Sequence, residues 1–66
     1  MDRADAEEIH KLALSAITNL TSIFQVNDKY DEYEEIKRGV GLSIGKIQMD
    51  ILEVIYKRFP ELDDLK

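Results

Sequence analysis

The sequence predicts an all-α protein: an antiparallel two-helix hairpin with a short C-terminal turn, pairing with a second copy into a dimeric four-helix bundle. Three observations predict it. Apolar residues recur at spacings of three and four along two stretches, as one face of a helix requires. Helix-breaking residues are few, with Pro60 the single proline in a chain of 66 residues. The second stretch carries two apolar arcs where a hairpin needs one.

Helix one is predicted over about residues 4–25. Ile9, Leu12, Ala13, Ala16, Ile17, Leu20, Ile23 and Phe24 form its apolar face, and Glu8, Lys11, Ser15, Thr18, Asn19 and Ser22 fall opposite. Asp2 and Asp5 cap its start, and Glu7 and Glu8 suit the positive end of its dipole. Asn27 and Asp28 make a turn, because asparagine tolerates the left-handed conformation that ends a helix. So short a connection folds two helices back on each other.

Helix two is predicted over about residues 29–59, with Asp28 as its N-cap and Pro60 as its stop, since proline lacks an amide donor and disfavours helix in the residue before it. At 1.5 Å per residue it reaches roughly 45 Å against about 33 Å for helix one, so part of it overhangs its partner. Residues 61–66 are expected to add a turn in which Leu62 and Leu65 fold back. The whole chain, 1–66, is one domain without repeats or linker.

On a wheel of about 100° per residue, Tyr33, Ile36, Val40, Ile44, Ile47, Ile51, Val54 and Ile55 share one arc, the seat for helix one. Leu42, Met49, Leu52, Tyr56 and Phe59 share a second arc, and Gly41 and Gly45 lie on it four residues apart, a spacing that lets another helix backbone approach. Gly41, Leu42, Gly45, Met49, Leu52, Tyr56 and Phe59 are therefore the expected dimer or partner interface. The alternative is that the glycines break the helix, each costing about 1 kcal/mol in a helix interior; the unbroken phase of Ile36, Val40, Ile44 and Ile47 argues for continuity.

Bulk properties point the same way. A chain this short buries only about 60% of the surface its unfolded form exposes, and with no cysteine and a single histidine, His10, disulfides and ordinary zinc sites are excluded as staples. Oligomerisation remains. Fourteen acidic residues against nine basic give a net charge of −5, which opposes binding to nucleic acid. No run of about 18 apolar residues and no basic-then-apolar leader occur, so neither membrane nor secretion is expected and the cytoplasm is the expected location.

Catalysis has few candidates: no cysteine, no phosphate-binding glycine loop, and Ser15, Ser22 and Ser43 without an evident base. Glu7 and His10 form the Glu-x-x-His spacing of carboxylate-bridged metal bundles, but they lie on the polar flank and helix two offers no inward glutamate, so no metal or cofactor is expected. Tyr33, Glu34, Glu35 and Ile36 match a phosphotyrosine ligand pattern, which needs an extended peptide rather than a packed helix. Arg58 is read as structural, its stem packed near the helix end. The expectation is thus a non-enzymatic module acting by self-association. The runner-up is a small acidic inhibitor or immunity-type protein whose Asp28, Asp31, Glu32, Glu34 and Glu35 cover a basic protein surface; the helix dipole accounts for most of the same charges.

Overall fold

The computed structural model describes residues 1–26 and 29–63. Helix α1 runs Arg3–Ser22 and ends in a 3₁₀ turn, Ile23–Gln25. Asp2 caps it from an extended conformation (φ −87°, ψ 168°), its Oδ1 accepting the Asp5 N–H at 2.9 Å and so satisfying one of the donors a helix start leaves open. Towards the other end Thr18, Thr21 and Ser22 each donate a hydroxyl to the carbonyl four residues back. Such bonds compete with the backbone ladder, and the helix tightens into its 3₁₀ turn there.

The second helix starts later than the sequence predicts. Helix α2 spans Tyr33–Ile47, and residues 30–32 form a turn in which Tyr33 N–H bonds the Tyr30 carbonyl at 3.1 Å. Tyr33 is the first residue of the strand of sequence that finds a core: its ring is buried and its hydroxyl donates to the Ile23 carbonyl at 3.1 Å. Ahead of it Tyr30 is exposed, so little apolar burial stabilises an additional turn, and short helices live by such burial. The proposed N-cap Asp28, the turn residue Asn27 and the returning Leu65 lie outside the described residues.

Helix α2 passes through Gly39, Gly41 and Gly45 without a break, which settles continuity. All three have ordinary negative φ, and a Cβ added to any of them would meet nothing within 4 Å.

The helix changes pitch farther on. Gln48–Leu52 form a π turn, after which helix α3 continues over Glu53–Arg58. A π turn takes up one more residue than an α turn, which rotates everything beyond it by about 100° relative to the sequence wheel. The inward positions read Tyr33, Val40, Ile44, Ile47, then Leu52, Ile55 and Phe59, all buried or half-buried. The step from Ile47 to Leu52 is five residues, and it coincides with the π turn. Leu52 and Ile55 thereby reach the core alongside the small Ala6 and Ala13 of α1, whose size permits close approach of the helices. Phe59 ends α3 with φ −133°, ahead of a 3₁₀ turn at Pro60–Leu62. Leu62 is half-buried, as the expected fold-back requires.

One clasp closes the open end of the hairpin: Arg3 bonds Glu7 at 2.7 Å and Glu61 at 2.6 Å. The hydrogen bond to Glu7, and the nearby charge of Glu61, raise the Arg3 pKa above its ordinary value.

The result is a slab one helix thick. Its extents are 45 × 21 × 15 Å with a radius of gyration of 14.3 Å, against about 11 Å for a compact domain of this length. No large side chain is completely buried among the described residues. The exposed surface is 5205 Å², about 900 Å² above the roughly 4300 Å² expected for a folded chain of 7.6 kDa.

Candidate functional site

The residues expected at an interface divide in two. Gly41, Leu42 and Met49 are exposed and Gly45 is half-buried; Leu42 and Met49 are 67% and 68% exposed, the most open of the large apolar side chains. Leu52, Tyr56 and Phe59 are not on that surface. Leu52 is buried, and Tyr56 and Phe59 are half-buried on the side facing α1. Their assignment to an outer arc is corrected by the π turn, which rotates them inward. The same rotation turns Ile51 and Val54 outward, although the sequence wheel seats them against helix one; they are exposed, as is Ile36.

Tyr56 illustrates the inward side. Its hydroxyl lies 3.0 Å from His10 Nε2, and the two rings meet edge to face with centroids 5.5 Å apart. His10 therefore serves a cross-helix contact, and Glu7 is engaged by Arg3. No group of three or more His, Cys, Asp or Glu side chains able to hold a metal occurs among the described residues. Ser22 is hydrogen-bonded within its own helix.

On the Tyr56 side of the hairpin runs a groove of about 630 Å³, with Leu14, Ile17 and Leu52 along it and Gln48, Glu53, Lys57 and Asp63 around it. It is bordered by charge and therefore wet. The opposite side differs. Two residues along an α-helix correspond to a rotation of about 200°, so Leu12 emerges opposite Leu14, and Ile51 opposite Glu53. Ile9 and Ala16 stand with Leu12 at spacings of three and four; Ile47 stands with Ile51. An apolar face built from both helices results.

At the loop end Ile23, Val26, Tyr30, Tyr33 and Ile36 line a cleft of about 350 Å³ with Glu32 at its edge. Asp31, Glu32, Glu34 and Glu35 are all exposed nearby. Glu34 and Glu35 occupy the first turn of α2, where carboxylates stabilise the helix dipole, and Lys37 approaches both Glu34 (3.9 Å) and the Tyr33 ring (5.4 Å). Because Tyr33 is buried and its hydroxyl bound, the tyrosine motif is not presented as a ligand. Arg58 is exposed near the end of α3.

Among the described residues no helix is long and apolar enough to cross a membrane. Compared with known proteins, the chain matches no protein-family model, no curated protein and no solved structure.

Proposed function

We propose that this chain is a non-enzymatic interaction module that works by self-association, two hairpins pairing into a four-helix bundle. The surplus surface carries the reading. About 900 Å² more than a compact fold of this size exposes is close to what one partner contributes to a stable protein interface, about 800 Å², and Ile9, Leu12, Ile36, Leu42, Met49 and Ile51 are among the large apolar side chains left exposed. A core without one completely buried large residue among those described gains what it lacks by pairing. A cytoplasmic setting belongs to the same proposal, since a cysteine-free chain relies on no oxidising compartment.

Sedimentation velocity at micromolar concentration tests it: the expected particle has twice the 7.6 kDa chain mass, and a well-folded monomer across that range overturns the proposal. The runner-up, an acidic module that covers a basic protein surface, draws on the exposure of Asp31, Glu32, Glu34 and Glu35. It requires partner binding that weakens steeply with salt and with Glu34→Lys or Glu35→Lys, whereas a self-associating bundle tolerates both changes.

A further inference from the structure

We infer that a second copy of the chain docks on the side face formed by Ile9, Leu12 and Ala16 of α1 with Ile36, Ile47 and Ile51 of the second helix, and not on the outer stripe of Leu42 and Met49. The inference rests on the self-association reading above and assigns its surface.

Three observations select this face. The first is breadth. Ile9, Leu12, Ile36 and Ile51 are exposed and Ala16 and Ile47 are half-buried, so both helices contribute apolar surface along the hairpin. A surface shared by two helices can supply the roughly 800 Å² that a stable pairing takes from each partner. The outer stripe offers Leu42 and Met49 on one helix, a narrow strip bordered by the exposed Lys46 and Asp50, themselves paired at 2.9 Å. The second is the character of the alternatives: Gln48, Glu53, Lys57 and Asp63 line the groove itself, and burying such groups is costly, whereas a charged border that stays in solvent is not.

The third is charge at the open end of the hairpin. There the face is bordered on α1 by Asp5 and Glu8, four residues ahead of Ile9 and Leu12 respectively, and on α3 by Arg58, seven residues after Ile51, all three exposed; at the loop end the exposed Glu32, four residues ahead of Ile36, meets a stretch of α1 that carries no acid after Glu8. A two-fold axis parallel to the helices sets α1 of each copy against the second helix of the other. The acidic margin of one copy then faces the Arg58 margin of its partner, at both edges of the same interface. Stacked this way, the two slabs form one four-helix core, with the π turn placing Ile51 in it and Leu52 in the hairpin's own.

Lysine scanning followed by sedimentation velocity tests the assignment, with far-ultraviolet circular dichroism to confirm helicity. Leu12→Lys and Ile51→Lys are expected to raise the dimer Kd by roughly a hundredfold or more, since each dimer loses two buried apolar side chains. Leu42→Lys and Met49→Lys are expected to leave it within about threefold, as exposed positions do. Ile51→Lys also disturbs packing inside the chain, so a second measurement uses the absence of native cysteine: the thiol of Leu12→Cys should label about tenfold more slowly than that of Leu42→Cys when the dimer is populated, and equally fast on dilution. A dimer dissociated by Leu42→Lys or Met49→Lys but not by Leu12→Lys overturns the face and leaves self-association standing. A monomeric wild type with a fully reactive Leu12→Cys thiol overturns both.

Discussion

Leu42, ahead of the π turn, and Met49, in its first half, belong with Leu52, Tyr56 and Phe59, at or beyond its far end, to one arc on an ideal helical wheel, yet the two groups meet opposite fates. The first pair is left in solvent; the others are drawn into the hairpin core. Apolar character does not separate the two groups, since each contains a leucine, and no break in the helix does. One additional residue in one turn does, because about 100° of phase is enough to exchange an outward position for an inward one. Burial in a long helix is therefore set by the cumulative count of residues per turn, and a single wide turn resets the count for everything that follows.

The largest expected effect falls on the inward group. Leu52→Ala should cost about 2 to 5 kcal/mol, comparable with the whole stability of so small a chain, whereas Leu42→Ala should stay within about 0.5 kcal/mol. Thermal unfolding followed by circular dichroism at matched protein concentration checks the pair, and equal losses would erase the contrast.

A sharper test removes the reset itself. Deleting Met49 leaves Ile47 and Leu52 four residues apart, which an ordinary α turn accommodates with both flanking registers intact. The expected outcome is a folded hairpin with helicity undiminished and a melting temperature within several degrees of the parent, equivalent to about 1 kcal/mol at this size. Inserting an alanine at the same point should instead rotate Leu52, Ile55 and Phe59 out of the core and unfold the chain. If the deletion unfolds it, Leu52 does not owe its burial to the wide turn.

Smaller effects concern the region before the turn. Gly45→Ala should stabilise by up to about 1 kcal/mol, since the helix regains propensity and the new Cβ meets no atom within 4 Å. A loss of stability that depends on protein concentration would instead place a partner backbone against Gly45. The least effect is expected from Arg3→Gln. It opens the clasp to Glu7 and Glu61 at the exposed end of the hairpin, so its modest loss of melting temperature should shrink as salt is raised, as screened surface pairs behave.

Much of this architecture was legible in the residues. Asp2 caps where an N-terminal aspartate should, Ile9 through Phe24 mark the first helix, and Pro60 stops the second. Uninterrupted phase through Gly39, Gly41 and Gly45 correctly announced continuity. Which apolar residues stay exposed was only half legible, because the wheel that grouped Leu52, Tyr56 and Phe59 with Leu42 assumes a constant angle per residue. A five-residue step between successive inward positions is the trace a wide turn leaves, and Ile47 and Leu52 carried that signal. The late start at Tyr33 escaped because the acids before it suit a helix N-terminus wherever it falls within a turn or so. His10 and Tyr56 gave no local hint of their contact, which joins residues 46 positions apart.

The wide turn at Gln48–Leu52 also bears on ancestry. A helix that gains one residue and keeps the packing on both flanks must store it as such a bulge, so the turn is where descent can add or drop a position without rebuilding the core. Relatives of this chain should align with it in two blocks separated by a gap of one residue between Ile47 and Glu53, the first block keeping Tyr33, Val40 and Ile44 and the second keeping Leu52, Ile55 and Phe59.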